Sequence, residues 1–209
     1  MVQGWNDSEL TENGIFQAKC TGYGMKDILF QKACSGDSKR QIATAEILMS
    51  ENKNPIPVTA DWHFREGCYG KYEEGSYAEM LGPLFTLNGD HYSSYKDLYK
   101  YYDDVRIAEL LEKFDETHGF EGLEHTADRF ITGMDRLTET VKEGNILVAS
   151  SGLAILALVN KLFPDSDHRY IVDNAAVTVI EFDGTYHLLI YNDISYRIKG
   201  EQYYSDHLI

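Results

Sequence analysis

Asn145-Ile146-Leu147-Val148-Ala149-Ser150-Ser151-Gly152-Leu153-Ala154 is the stretch that decides the fold. Ile146 to Ala149 run apolar without alternation, as in a strand buried on both faces. The small pair Ser151-Gly152 follows, and an apolar helix is predicted over 153–162. A buried strand that feeds straight into a helix is half of a parallel crossover unit. A second junction of the same kind lies upstream. There Ile28-Leu29-Phe30-Gln31-Lys32-Ala33-Cys34 reads as a short buried strand, and Ser35-Gly36-Asp37-Ser38 opens a helix carrying Ile42, Ala45 and Leu48 on one face. Both junctions set small residues at a helix N-terminus, which suits an anion. Arg40 falls in the first turn of its helix, where it would add a two-pronged positive charge. The opposite reading, a solvated helix arginine, stays open on periodicity alone.

Working outward, the periods of helix and strand alternate. Thr11 is positioned as a helix N-cap, and Ile15, Ala18, Gly22 and Met25 recur at helical spacing behind it. Residues 55–60 form a short extended segment, and 64–76 read as a loop with Gly67, Gly70 and Gly75. Tyr95, Leu98, Tyr102, Val105, Ala108 and Leu111 fit one helical stripe. Ala127, Phe130, Ile131, Met134, Leu137 and Val141 fit another, with a charged loop over 112–123 between them. Residues 176–182 and 186–191 flank Asp183-Gly184, a strong hairpin signal. Strands separated by helices imply an α/β fold: a three-layer α/β/α sandwich around a mostly parallel mixed sheet. Ligands on such sheets bind beyond the carboxyl ends of the strands.

Composition narrows the class. A chain of 209 residues with 43% hydrophobic residues is expected to be one domain with its own core, spanning 1–209 with a helical cap-like insertion around 76–123. No apolar run approaches the length of a membrane span, and the first residues lack the charge and apolar pattern of a signal peptide. Cys20, Cys34 and Cys68 show no metal-ligand spacing and read as reduced thiols in a cytoplasmic protein. A formal charge of −15 opposes binding to nucleic acid or anionic membranes. No residue pattern calls for a cofactor or a metal.

Five segments, in order, resemble one family. Leu10-Thr11-Glu12-Asn13-Gly14-Ile15-Phe16-Gln17-Ala18 resembles the "LTExGxxQA" segment of the phosphoglycerate mutase-like, or histidine phosphatase, superfamily. Ser35-Gly36-Asp37-Ser38-Lys39-Arg40-Gln41-Ile42-Ala43-Thr44-Ala45-Glu46 is similar to its "SSDLxRAxQTAE" segment. Phe64-Arg65-Glu66-Gly67-Cys68-Tyr69-Gly70-Lys71-Tyr72-Glu73 is similar to its "LREmxfGxwEG" loop, and 145–158 to its "vLvVsHGxxirall" strand and helix. Asn174-Ala175-Ala176-Val177 and Asn192-Asp193 are similar to its closing strands.

The resemblance implies phosphoryl transfer on small phosphoesters. In the family, a histidine of an Arg-His-Gly strand attacks phosphorus, arginines and a second histidine hold the oxygens, and a carboxylic acid protonates the leaving group. Carried over by residue, Arg40 matches a phosphate-binding arginine and Glu66 the acid/base position. Gln3 and Gly4 match the loop that closes over the phosphate, and Gly152 follows the second-histidine position. Glu124 matches an acidic residue at the start of the family's penultimate helix, where complementing the helix dipole is an equal reading.

Two departures shape the expectation. The family's Arg-His-Gly strand has no counterpart in the sequence, and the second histidine position is Ser151, which brings no positive charge. One lost donor at a preorganised oxyanion site typically costs about 2.7–4 kcal/mol, and loss of the nucleophile costs far more. Histidine-dependent turnover is therefore expected to be negligible. His63, His91, His118, His125, His168, His187 and His207 stand in no comparable context and are expected on surfaces or loops, although His63 lies close enough to Glu66 to border a pocket. Ser151 is not within a G-x-S-x-G elbow. The absent strand would be interior to the sheet and would leave a gap of about 10 Å between its neighbours, so the chain alone is expected to be poorly stable. Three ways out are open: the sequence is a fragment of a longer chain, which is the favoured reading, the neighbouring strands close up, or a second chain donates a strand, which keeps a homodimer open.

Two functions follow: a phosphatase of small phosphoesters whose catalytic strand lies outside the sequence, or a non-catalytic relative that binds a phosphorylated ligand or a protein. A mutase is the less favoured enzyme, because 76–123 carries no mutase signature. The tyrosines in it (Tyr92, Tyr95, Tyr99, Tyr101, Tyr102) are expected to be half-buried packing residues.

Overall fold

The computed structural model describes residues 1–89 and 95–207. Helix α1 (Glu12–Gly24) begins where the Thr11 side chain accepts a hydrogen bond from the Gly14 N–H at 3.1 Å, as the capping reading requires. Strand β1 (Phe30–Ser35) starts two residues later than the apolar run, because the Asn52 amide donates to the carbonyls of Met25 and Ile28 and holds that stretch as a turn. Then come α2 (Lys39–Ser50) and a short β2 (Val58–Ala60). Later in the chain, α6 (Leu123–Thr140) leads to β3 (Asn145–Ala149) and α7 (Gly152–Leu162).

Strand β1 is central and parallel to both neighbours, in the order β2-β1-β3, with Cys34 opposite both Thr59 and Val148. Successive residues of β1 serve opposite faces. Ala33 joins Met25, Leu48, Met49 and Leu147 on the face of α1 and α2. Cys34 joins Phe130, Leu137, Ala154 and Leu158 on the face of α6 and α7. The result is the expected three-layer α/β/α arrangement.

The closing hairpin is present as β4 (Val177–Phe182) and β5 (Tyr186–Asp193), antiparallel, with Phe182 opposite Tyr186. Gly184 takes φ +115°, a conformation glycine adopts freely, and the Asp183 carboxylate accepts from the Thr185 N–H and hydroxyl. The described residues form two separately bonded sheets, β2-β1-β3 and β4-β5. Val177 packs against the core of Met25 and Leu147, and Ile180, like Ile146 and Val148, against the core of Phe130 and Leu158. Strand β4 thus reaches both cores that β3 separates, yet no backbone ladder joins the two.

Two expectations are corrected. The stripe over 95–111 is two helices, α4 (Tyr95–Leu98) and α5 (Asp104–Phe114), because the Asp103 side chain accepts from the Arg106 N–H and starts a new helix. With α3 (Tyr77–Leu81), α5 contributes Met80, Leu81, Val105 and Leu111 to a core that Val2, Leu153 and Leu156 share. Tyr99 and Tyr101 are exposed rather than half-buried, since the break turns them away from that core. Tyr92 and His91 lie outside the described residues. Ser195–His207 also forms a helix, α8, which no apolar stripe marks among its residues. It lies against α1 where glycines permit close approach: a Cβ on Gly200 would run into the Cys20 carbonyl, and one on Gly24 into the backbone of Tyr196.

Among the described residues no helix is long and apolar enough to cross a membrane.

Candidate functional site

The carboxyl ends of β1 and β3 open onto the N-termini of α2 and α7, and the sequence-selected residues gather there. Arg40, on the first turn of α2, is half-buried. Its Nη1 donates to the Asn6 carbonyl at 2.8 Å, and its Nη2 donates to the carbonyls of Gly4 at 2.7 Å and Gln3 at 3.2 Å. Arg40 is therefore not a solvated helix residue. Three donor contacts hold the loop at 3–6.

The amide side of the same loop belongs to Glu73. Its carboxylate accepts from the N–H groups of Gly4, Trp5, Asn6 and Tyr69 at 2.9–3.3 Å. Partial burial pushes the Glu73 carboxyl up, but these four amides outweigh it and hold it below the ordinary glutamate value. Gly4 is required by close approach, since a Cβ there would collide with the Gly67 carbonyl oxygen and the Glu73 carboxylate. Gln3 contributes its carbonyl through this loop.

Glu66 is 5% exposed. One carboxylate oxygen accepts from the N–H of Gly67 at 2.9 Å and of Ala154 at 2.8 Å, and the other accepts from the N–H of Leu153 at 3.2 Å. The carboxylate thus sits on the N-terminus of α7, where unpaired amides and the helix dipole favour negative charge. Burial raises its pKa, opposed by those three amides and by the nearby Arg40 charge. Trp5 Nε1 donates to the Glu66 carbonyl at 3.0 Å and ties the loop at 3–6 to it.

Ser151 is the N-cap residue of α7 but makes no side-chain capping bond. Its hydroxyl oxygen accepts from Gln41 Nε2 at 2.8 Å, while the Ser38 hydroxyl donates to Gln41 Oε1 at 2.9 Å. Gly152, the first residue of α7, is covered by Ile171, into which a Cβ would project. At the rim, Arg65 pairs with Asp37 through two bonds of 2.7 and 2.6 Å, which lowers the Asp37 pKa, and its guanidinium lies 4.9 Å from the Trp5 ring centroid.

Other expected neighbours are elsewhere. His63 is buried rather than on a surface, in a 3-10 turn (Trp62–Phe64), with Nδ1 2.6 Å from an Asp61 carboxylate oxygen. His168 stacks on Tyr191, His187 bonds Asp183, and His207 bonds the Tyr203 carbonyl. Glu124 pairs with Lys161 at 3.4 Å on an exposed surface. Among the described residues no group of His, Cys, Asp or Glu could hold a metal ion.

Sequence reasoning missed Trp5, Gln41, Glu73 and Arg129. Gln41 and Glu73 stand inside the quoted segments, but both act on groups remote in sequence and carry no spacing signal. Arg129 is 7% exposed and donates to the backbone around Glu66.

Chemically, the edge combines a fixed arginine, a buried carboxylate on a helix N-terminus, and hydroxyl and amide donors. An open parallel sheet with these groups at its carboxyl edge defines an α/β protein with its functional edge where such sheets bind ligands. The sequence pattern of the histidine phosphatase superfamily (branch 1) matches residues 1–193, and the chain belongs to that family. It is similar to the 2,3-bisphosphoglycerate-dependent phosphoglycerate mutase of Buchnera aphidicola subsp. Schizaphis graminum (strain Sg), with 25% identity covering 88% of this chain and 86% of the relative. Among solved structures it is similar to phosphoglycerate mutase from Bacillus anthracis str. Sterne, with 31% identity, a TM-score of 0.84, and coverage of 96% of this chain and 88% of that one. The mycobacterial glucosyl-3-phosphoglycerate phosphatase solved with inorganic phosphate shares the fold at a TM-score of 0.71, with 20% identity over 94% of this chain and 92% of that one.

Proposed function

We propose that the chain carries a histidine phosphatase-type site for small phosphoesters that turns over negligibly by the phosphohistidine route. The observation that carries this reading is Ser151. At the family's second-histidine position stands a neutral hydroxyl already engaged by Gln41, so no imidazole there can hold a phosphoryl oxygen or share its charge. Arg40 and the α7 N-terminus still set a positive potential at this edge, although their donors are bound to the loop at 3–6 and to Glu66, and that potential favours an anionic ligand. The helical stretch at 76–123 serves as a cap that sets which ligand fits, since its apolar residues share a core with Val2 and Leu153 beside the site. A cytoplasmic setting accounts for the free Cys20, Cys34 and Cys68. Relatives bearing names of phosphoglycerate enzymes support a small phosphorylated carboxylate as the ligand class.

A second reading, a binding protein without turnover, is favoured by the same Ser151–Gln41 bond. Titration calorimetry with inorganic phosphate and with 3-phosphoglycerate runs alongside phosphatase assays of the wild type and Ser151→His: release gained in Ser151→His favours the lapsed enzyme, and background release in both proteins favours the binding protein. The proposal expects saturable binding and phosphate release close to background. Phosphoenzyme on any residue after incubation with a phosphodonor, or no binding of either anion, would overturn it.

A further inference from the structure

The carbonyl groups around Glu66 converge on one cation. The 3-10 turn Trp62–Phe64 closes with the Arg65 N–H on the Trp62 carbonyl at 3.1 Å, and the carbonyls that follow are left to partners outside the turn. Arg129, from α6, meets them. Its Nη1 donates to the carbonyls of Trp62 at 3.1 Å, His63 at 2.9 Å and Arg65 at 3.0 Å, and its Nη2 reaches the Glu66 carbonyl at 3.3 Å. The remaining edge of the guanidinium is taken by Glu121, with Nε at 3.0 Å and Nη2 at 2.7 Å from its two carboxylate oxygens. Glu121 is itself tied to the far side of Glu66, because its N–H donates to the Cys68 carbonyl at 2.8 Å. A planar fork with donors on every edge can serve these acceptors at once, and an ammonium cannot.

We infer that Arg129 is the positioning residue of the site: it fixes the backbone at 62–66 so that the Glu66 carboxylate meets the amides of Leu153 and Ala154. The inference rests on reading this edge as a phospho-ligand site. Arg129 bonds only main chain and Glu121, so any influence on ligand runs through Glu66 and its neighbours. Two alternatives are weaker. The cavity of about 350 Å³ among Glu109, Glu112, Glu124 and Lys161 is an acidic cleft with nothing in it that points to a ligand. Among the described residues, the hydrogen bonds of the Asp61–His63 pair join it to no hydroxyl or thiol.

A double-mutant cycle tests the inference. Phosphate affinity is measured for wild type, Arg129→Lys, Glu66→Gln and the double variant, together with the amide resonances and exchange of Leu153 and Ala154. Removing an outer partner of a functional group commonly costs about 10–100-fold in affinity or activity at metal sites. The expectation is a loss of about tenfold for Arg129→Lys in the wild-type background, well under that in the Glu66→Gln background, and faster exchange at both amides. Equal losses in the two backgrounds, or unmoved amides, would overturn the inference. If the wild type binds no phosphate while the two amides shift in Arg129→Lys, the functional reading falls and the positioning role stands. Glu121→Gln, which keeps the carbonyl clamp but removes the paired charge, gives the same readout in milder form should Arg129→Lys fail to fold.

Discussion

Glu66 carries two opposed effects in one carboxyl group. Burial disfavours its charge, whereas three N–H groups and Arg40 favour it, and burial prevails. A carboxyl whose folded pKa is raised binds its proton more tightly folded than unfolded. Its contribution to stability is complete below the unfolded value, about 4.3, and is lost as pH rises through the folded value. Glu66→Gln removes that titration at nearly unchanged shape. Urea midpoints across this range should show the wild type losing ground to Glu66→Gln as pH rises. A wild type that gains on the variant instead would show that the amides and Arg40 prevail. The roles assigned to Arg40 and Glu66 were legible because each stands in a segment with a family pattern. Arg129 and Trp5 were not, because both act on carbonyls, and a carbonyl leaves no trace in residue type.

At the scale of elements, the long amphipathic helices were readable and the contact-dependent ones were not. α6 shows its buried face as a stripe of Ala127, Phe130 and Leu137. α8 has no such stripe, and Gly200 is its one buried residue. What holds it is shape: Gly200 against Cys20 and Gly24 against Tyr196, with Tyr23 stacked on Tyr203 at 3.9 Å between ring centroids. Overpacking of a tight contact typically costs about 1–3 kcal/mol. Gly200→Ala should therefore lower the urea midpoint by that order although alanine is the better helix former. Since α8 is remote from Arg40 and Glu66 in the fold, phosphate affinity of the folded variant should stay as in the wild type. A Gly200→Ala protein as stable as the wild type would mean that α1 and α8 separate freely.

For the whole molecule, the decisive feature is the division between β3 and β4. A parallel strand inside such a sheet is expected to be buried on both faces. Yet Ile146 and Val148 of β3 are only half-buried, as are Val177, Val179 and Ile180 of β4, even though the two strands share both cores. The backbone groups on the facing edges have no ladder, and unpaired groups shielded from water are costly. The overall α/β layering was readable from the two strand-to-helix junctions. The split sheet was foreseeable only through the resemblance, since no property of the residues at 145–149 or 177–182 says which strand should lie between them. The consequence is a weak seam across the fold. The 209-residue chain should melt below the range of about 45–65 °C usual for such domains. Hydrogen exchange should locate the cause, with β3 and β4 amides exchanging early while those of α2 and α6 stay protected. A single sharp transition within that range, with β3 and β4 as protected as α6, would show that the seam is closed in solution.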